Sequence, residues 1–234
     1  MKVSIVIPAH NEEQTIRDTL TAVCNQQYPD FEVIVVDNGS SDRTQDIIRS
    51  FSNVRLVKES QKGTLFARER GRREAQGSII ANVDADCVPD SQWIQKGARY
   101  FQDPNVAGVT GPCDYYDASP FFRWLFLFTQ RFVYRGMSAL FQLPFIHRGA
   151  IMFGGNAFMR ADALEKAGGY DTSFVFYGDD TDTAKRLLAF GKVLFKNDVV
   201  MKTSVRRFER EGILKTTSVY AFHFFRVVFR RDSL

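Results

Sequence analysis

The stretch FEVIVVDNGSSDRT, residues 31–44, contains the pattern on which the fold depends. An apolar, mostly β-branched run, Phe31–Val36, stops at Asp37, and the polar residues after it form a turn that can begin a helix. The runs Val3–Ile7 and Ser78–Val83 have the same character, and Asp84 follows the second. Runs that are apolar throughout are typical of strands covered on both faces.

Helical patterns lie between these runs, so the sequence predicts right-handed βαβ units and an α/β fold with a central, mostly parallel sheet flanked by helices. Further strands are predicted at Val54–Val57, Val106–Thr110 and Lys192–Phe195. Helices are predicted at Glu13–Gln27, Arg43–Phe51, Gly63–Ala75, Trp93–Phe101 and Asp180–Phe190.

The composition is that of a folded, mildly basic protein. Apolar residues make up 44% and charged residues 25% of the chain, which excludes a disordered class. The net charge of +4 and the pI of about 9.0 are compatible with acidic lipid, nucleotide phosphates or nucleic acid. Three widely spaced cysteines, Cys24, Cys87 and Cys113, favour reduced thiols, and we expect a cytoplasmic protein without a signal peptide or transmembrane helix.

Acidic residues collect where the predicted strands end. Ligands of open parallel sheets bind at the carboxyl ends of the strands, which is where Asp37, Asp84 and Asp86 fall. In extended backbone the side chains of Asp84 and Asp86 face the same side, so both carboxylates can approach one Mg²⁺ or Mn²⁺ ion. The alternative is a solvated turn leading into Pro89.

Two loops add polar groups to this edge. The first strand is followed by His10, Asn11 and Glu12, and Asp37 could accept hydrogen bonds from a nucleobase, although turn chemistry alone explains Asn38 to Asp42. The glycine-rich phosphate-binding patterns of other nucleotide sites are missing from the sequence. Phosphate would therefore be bound by metal and by side chains such as Lys62 and Arg68.

A third acidic cluster, Asp179, Asp180 and Asp182, begins a predicted helix. One interpretation is that these residues are caps favoured by the helix dipole. The functional interpretation is that one carboxylate takes the proton from an attacking hydroxyl, a contribution of about 10²–10⁴-fold in rate.

Two segments are unusually aromatic, namely residues 121–128 and Tyr220–Phe229, the second with basic residues around it from Arg206 to Arg231. Three interpretations stay open: helices that pack on the core, a membrane-interfacial surface, and a homodimer interface.

Taken in order, these motifs resemble family 2 glycosyltransferases, which have the GT-A fold, a Rossmann-like sandwich. The resemblance rests on residues 6–12, 36–44, 84–86, 154–158 with 168–171, and 177–180. It implies an inverting enzyme that moves a sugar from a nucleotide-diphosphate sugar to a hydroxyl of a lipid-linked or cell-surface glycan, and the donor expected is a UDP-sugar.

The resemblance also implies roles for residues. Asp180 would be the base, with Asp179 as the alternative because the motif commonly begins with Glu, and Asp86 and Asp84 would bind Mn²⁺ or Mg²⁺. The implied nucleotide contacts are Pro8, Ala9, His10, Asn11, Glu12, Asp37, Asn38, Lys62, Arg68, Asp84 and Ala85. The implied acceptor contacts are Gly154, Gly155, Asn156 and Tyr177. The Q-x-x-R-W motif of processive synthases is absent, which favours transfer of one sugar per encounter.

The sequence predicts one domain with a nucleotide-sugar-binding half (1–110) and an acceptor and base half (111–205), followed by a basic aromatic helix (206–234). The protein is expected to work at the inner face of the membrane. The alternative function is a catalytically silent nucleotide-sugar-binding module. A nucleic-acid partner is not expected, because the acidic edge would repel phosphate without metal.

Overall fold

In the computed structural model, which describes residues 1–143, 149–174 and 178–229, a seven-stranded sheet forms the centre of the molecule. The strands along the chain are β1 (Val3–Ala9), β2 (Phe31–Asp37), β3 (Val54–Lys58), β4 (Ile79–Val83), β5 (Val88–Pro89), β6 (Val106–Thr110), β7 (Cys113–Tyr115), β8 (Asn156–Arg160), β9 (Lys192–Phe195) and β10 (Met201–Thr203). The large sheet has the order β3-β2-β1-β4-β8-β6-β9, and a small sheet has the order β5-β10-β7.

The large sheet is mostly parallel, which confirms the predicted fold class. The first four strands of the chain pair in parallel, with Ala9 opposite Asp37 at the carboxyl ends of β1 and β2. Strand β8 runs antiparallel between β4 and β6 and pairs Asn156 with Val83. The sequence did not predict this strand, and it brings the segment around Gly154 to the end of β4.

Helices cover the sheet and are shorter than the sequence predicted. They are α1 (Ile16–Cys24), α2 (Thr44–Arg49), α3 (Thr64–Glu74), α4 (Trp93–Ala98), α5 (Pro120–Phe128), α6 (Arg135–Phe141), α7 (Ala161–Lys166), α8 (Asp179–Leu187), α9 (Arg206–Glu211) and α10 (Ile213–Phe229). A π-helical turn, Thr129–Tyr134, joins α5 to α6. The predicted helix Glu13–Gln27 starts late because the preceding backbone amides bind other side chains: Glu12 N–H donates to Thr44 Oγ1 at 2.8 Å.

The core lies on both faces of the large sheet. Ile5 and Ile7 of β1 point to the layer that contains Trp93 and Phe158, whereas Val6 points to the opposite layer. Helix α3 packs directly on β1 at Gly71, where a Cβ atom would overlap the Val6 side chain. The glycine therefore sets the distance of α3, and with it the position of Arg68.

Buried Asn156 ties the two sheets together. Its Oδ1 accepts a hydrogen bond from Trp93 Nε1 at 2.9 Å, and its Nδ2 donates to the carbonyl of Val199 at 2.9 Å. Because buried polar groups need such partners, these bonds fix the start of β8 relative to α4 and the segment before β10. Within the three described ranges, no helix combines the length and apolar character needed to cross a membrane.

Candidate active site

The loops after β1 and β2 are hydrogen-bonded to each other. Asn11, with a left-handed backbone φ of 54°, donates its N–H to Ser40 Oγ at 3.0 Å and accepts the Ser41 N–H at 2.8 Å. His10 Nδ1 lies 3.0 Å from the Asn38 carbonyl oxygen, and Asn38 Nδ2 donates to the Gln61 carbonyl at 2.7 Å. The two loops thus form one rigid rim at the carboxyl ends of their strands.

Asp37 is buried at this rim, and only one of its two carboxylate oxygens accepts a hydrogen bond from the described part of the chain. Its Oδ2 accepts a hydrogen bond from Gln45 Nε2 at 2.8 Å, while Oδ1 has no partner among the described residues. A buried acceptor without a partner costs about 1–3 kcal/mol, so the atom is suited to a donor from a ligand.

Other predicted nucleotide contacts border the same rim. Ala9 is buried at the end of β1 with Pro8 partly exposed beside it, and the side chain of Lys62 is exposed in the loop after β3. The Ala85 carbonyl accepts a hydrogen bond from Thr19 Oγ1 at 2.9 Å, so α1 holds the chain between Asp84 and Asp86 in place.

A buried arginine connects the strand-end acid with the helix-start acids. The guanidinium of Arg68 lies 2.9 Å from Asp84, 3.3 Å from Asp179 and 3.1 Å from Asp180. Although burial acts in the opposite direction, Asp84, Asp180 and Asp179 together raise the pKa of Arg68 above its usual range. The three carboxylates therefore surround one permanent positive charge.

The Asp180 carboxylate has a second contact and a raised pKa. Its Oδ2 accepts the Gly154 N–H at 2.9 Å. Burial, followed by the neighbouring carboxylate of Asp179, raises the pKa of Asp180 to about 7, even though Arg68 and the Gly154 amide act to lower it. A carboxylate with this pKa can both accept and release a proton near neutral pH.

Glycines at positions 154 and 155 leave the room that these acids occupy. A Cβ atom at Gly154 would overlap Asp180 and Arg68, and one at Gly155 would overlap the carboxylate of Asp84. The two predicted acceptor-side glycines thus lie against the base candidate and the metal-ligand candidate. Tyr177, the fourth predicted acceptor contact, lies outside the described residues.

Asp86 shares a second arginine with Glu12. Arg206, at the start of α9, places Nη2 3.1 Å from Asp86 Oδ2 and 3.1 Å from Glu12 Oε2. Burial, with a further contribution from Asp84, raises the pKa of Asp86, whereas Arg206 opposes the shift. No pattern in the sequence marks Arg206 as part of the site, because only the fold brings residues 12, 86 and 206 together.

The acidic side chains of the site meet only some of the requirements of a binding site for a divalent cation. No group of three or more His, Cys, Asp or Glu side chains in the described ranges is arranged to hold a metal ion by itself. Two carboxylates do converge on a cationic nitrogen of Arg206, however, so the position already accepts positive charge. Mg²⁺ and Mn²⁺ typically combine one or two carboxylates with water and substrate phosphates, so Asp86, beside Glu12 and two residues after Asp84, could contribute to such a site.

A comparison with known families decides the affiliation. The family model described as Glycosyl transferase family 2 matches residues 4–168, which contain β1 to β8 and the acids of both strand ends. The chain belongs to glycosyl transferase family 2. The matched segment ends before Asp180 and Arg206.

Curated relatives of this family 2 chain are glycosyltransferases. Glycosyltransferase AglE of Haloferax volcanii is 31% identical over 205 residues, covering 85% of this chain and 65% of the relative. Probable glycosyltransferase YdaM of Bacillus subtilis is 32% identical over 201 residues, covering 81% of this chain and 47% of the relative. The chain thus spans about half to two thirds of the length of these relatives.

Solved structures share the fold. The mannosyltransferase PcManGT of Pyrobaculum calidifontis, in complex with GDP-Man and Mn²⁺, superposes with a TM-score of 0.75 at 24% identity, covering 99% of this chain and 65% of that one. S. aureus TarS 1-349 in complex with UDP-GlcNAc gives a TM-score of 0.68 at 18% identity, covering 87% of this chain and 58% of that one. At these identities the likeness concerns the fold alone.

Proposed function

We propose that this chain is an inverting glycosyltransferase that moves one sugar from a nucleotide-diphosphate sugar to a hydroxyl acceptor, with Asp180 as the general base. The observation that carries the proposal is the position of Asp180, which is fixed by the Gly154 amide and shares Arg68 with Asp84. A proton acceptor therefore lies beside the strand-end acid that the family motif associates with the donor diphosphate.

The donor would lie across the rim formed by β1 and β2. The partnerless Asp37 Oδ1 would accept a hydrogen bond from an N–H of the nucleobase, and Pro8, Ala9 and the Asn38 turn would shape the pocket around it. The solved neighbours with GDP-Man and with UDP-GlcNAc support a nucleotide-sugar donor. A UDP-sugar is the donor we propose to test first.

Asp86 and Asp84 would hold a divalent metal, Mn²⁺ or Mg²⁺, together with the donor diphosphate. When bound, such an ion would neutralise the charge that develops on the leaving nucleoside diphosphate. The residues of the chain that this requires are the two carboxylates at the end of β4, held by the Thr19 contact and by Arg68. The Mn²⁺ in the PcManGT complex supports this assignment.

Asp180 would take the proton of the acceptor hydroxyl. At the same time the hydroxyl oxygen would form a bond to the anomeric carbon, and the bond from that carbon to the diphosphate would break. One base acting in a single displacement inverts the configuration at this carbon, whereas retention by double displacement needs a carboxylate nucleophile. Gly154 and Gly155 let the backbone lie directly against Asp180 and Asp84, and the acceptor hydroxyl would approach the Asp180 carboxylate that they border.

The second candidate function is a module that binds a nucleotide sugar without turnover. The chain carries Asp180 beside the Asp84/Asp86 pair, and a module that only binds would not need a base there, which favours the enzyme. A lipid-linked or cell-surface glycan at the inner face of the membrane is the acceptor class that we propose.

The deciding experiment is calorimetric titration of the chain with UDP, with and without Mn²⁺, compared with Asp86→Ala. We expect Mn²⁺-dependent binding that weakens at least tenfold in the variant, since the carboxylate would contribute a direct ligand. The matched control is Asp46→Ala, which removes an exposed acid of α2 that pairs with Arg49.

If UDP fails to bind, GDP and TDP are tested in the same way. Failure of all three at millimolar concentration with Mn²⁺ present would overturn the nucleotide-sugar assignment. Binding that is equal in wild type and Asp86→Ala would keep the donor but reject Asp86 as a metal ligand.

A further inference from the structure

The helical segment from α5 to α6 carries large apolar side chains on its outside. Phe121 is 65%, Trp124 60% and Phe132 65% exposed. The rings form a continuous stripe, because Trp124 stacks on Phe128 with centroids 5.5 Å apart and Phe128 lies 4.9 Å from Phe132. Single exposed apolar residues are ordinary, but a contiguous stripe of this kind marks an interaction surface.

Helix α10 carries a second stripe. Phe222 is 64% exposed, and Phe225 and Phe229 are exposed on the following turns with ring centroids 6.1 Å apart. Only Thr216, Val227 and Val228 of this helix are fully buried. The helix therefore packs on the protein along a narrow line and leaves most of its circumference open.

The two stripes lie on adjoining elements. Phe141 of α6 contacts Phe224 of α10 with ring centroids 5.7 Å apart, and Phe208 of α9 lies between Phe126 and Tyr220 at 5.2 Å and 6.5 Å. The rings that join the helices are thus different from the rings exposed outside. We call the exposed set the aromatic surface; it consists of Phe121, Trp124, Phe128, Phe132, Phe222, Phe225 and Phe229.

The charge of these segments is positive throughout. The chain has 27 acidic residues, yet none occurs in residues 118–161 or in residues 212–231. Exposed basic side chains accompany both stripes: Arg131 and Arg135 on the first, Lys215 and Arg226 on the second. A surface that combines aromatic and basic groups without acids is complementary to anionic lipid headgroups above an acyl layer.

We propose that the aromatic surface binds the surface of an anionic lipid bilayer. The rings would insert at the boundary between headgroups and acyl chains while the basic residues contact phosphate groups. The described part of helix α10 contains Lys215 and Arg226, so it would lie in the plane of the interface with these side chains at the headgroups.

A second copy of the chain fits the aromatic surface less well than an anionic bilayer does. A two-fold interface between two aromatic surfaces would bring Arg131, Arg135, Lys215 and Arg226 close to the same residues of the partner, with no acid in either segment to pair with them. Anionic lipid removes this repulsion and uses the same charges favourably.

The position of α10 connects this surface with the candidate base. A Cβ atom at Gly178 would lie 3.1 Å from Val227 and 3.6 Å from His223, so α10 packs on the residue that precedes Asp179 and Asp180. A bilayer held by α10 is therefore close to the acceptor side of the site. This deepens the proposed function, on which it rests, by favouring a lipid-linked acceptor over a soluble one.

The test is flotation of the full chain with vesicles of phosphatidylcholine alone and of phosphatidylcholine mixed with phosphatidylglycerol. We expect flotation with the anionic vesicles only. Trp124→Ser with Phe132→Ser should weaken binding about tenfold or more. Arg131→Gln with Arg135→Gln should weaken it about fivefold per charge removed. The control is Phe190→Ser, which removes a 41% exposed ring outside the aromatic surface.

Absence of wild-type flotation with anionic vesicles overturns the proposal, and so does equal flotation of the Trp124/Phe132 variant and the Phe190 control. Sedimentation that shows a stable dimer unable to float would assign the surface to a second copy instead. UDP binding with Mn²⁺ and thermal unfolding are measured on every variant. Flotation without binding of UDP, GDP or TDP would reject the donor assignment alone, and UDP binding without flotation would reject the lipid contact alone.

Discussion

Residues 1–110 and residues 111–229 contribute to the candidate site in different ways. In the first half Asp37 is the last residue of β2 and Asp84 directly follows β4, and both strands are mostly buried, so the sheet itself determines where these acids lie. In the second half Asp180 stands in the first turn of α8 and Arg206 in the first turn of α9, where charged partners hold them. The first half thus offers a rigid rim, on which we propose that the donor binds, and the second half adds groups whose positions depend on electrostatic contacts.

The largest expected effect is a loss of kcat in Asp180→Asn, which separates the contribution of the second half from that of the first. Asp180→Asn should lower kcat about 10²–10⁴-fold, because the amide cannot accept the acceptor proton. UDP affinity should stay unchanged, since the donor rim belongs to the first half. The measurement is nucleoside diphosphate release from UDP-sugars together with calorimetry of UDP binding.

Asp179→Asn is the matched variant and should have the smaller effect. A greater loss of kcat in Asp179→Asn would exchange the roles of the two residues. Undiminished turnover in both variants would mean that neither carboxylate is the base.

Arg68 joins the halves, so its removal tests whether they depend on each other. Arg68→Met should lower the free energy of unfolding by about 2–3 kcal/mol at neutral pH, because Asp84, Asp179 and Asp180 lose their common counterion. The loss should shrink as pH falls below 7, where Asp180 takes up a proton. Denaturant unfolding at several pH values measures this difference.

The control for Arg68 is Arg70→Met on the same helix, which removes an exposed pair with Glu74 and should cost about 0.5 kcal/mol or less. If the Arg68 variant were as stable as this control at neutral pH, the buried network would not be what holds the two halves in register.

The pH profile probes the second half alone. Burial, followed by Asp179, raises the pKa of Asp180 to about 7, and the base acts only when it has lost its proton. kcat/KM should therefore fall about tenfold for each pH unit below 7. The residual activity of Asp180→Asn should lack this dependence, and a wild-type profile that is flat from pH 5 to about 8 would disprove the assignment.

The smallest effect concerns Arg206, which occupies the position between Asp86 and Glu12. Arg206→Gln should tighten Mn²⁺ binding to the nucleotide-free chain by up to about fivefold, because a competing cation on a partly exposed ion pair is removed. Electron paramagnetic resonance of free Mn²⁺ measures this affinity. Arg207→Gln, next in sequence and hydrogen-bonded to the Tyr220 hydroxyl, should leave it unchanged.

The sequence predicted the first half of the fold closely and the second half only in outline. Strands such as Phe31–Asp37 are local apolar runs, and their order along the chain implies the parallel sheet. Strand β8 was missed because an antiparallel strand inserted between β4 and β6 is decided by long-range pairing, not by a local pattern.

The site shows the same division. Asp37, Asp84, Asp86 and Asp180 could be singled out because motifs and strand ends mark them. The contact of Arg206 with Glu12 joins residues far apart in sequence, so no local pattern predicts it. Asn156 was predicted to contact an acceptor, and the structure places it in the interior with its amide bonded to Trp93 and Val199; its role at the acceptor stays a prediction.

The single guanidinium of Arg68 has a consequence for dividing the polypeptide. A fragment ending near residue 118 would contain Arg68 and Asp84, and the complementary fragment would supply Asp179 and Asp180. In the first piece Arg68 would keep Asp84 as its only partner, and in the second Asp179 and Asp180 would lack their shared cation. All three ion pairs would form again only on reassembly. Because of Arg68, the chain is suited to fragment complementation, in which nucleotide binding would measure the association of the two fragments.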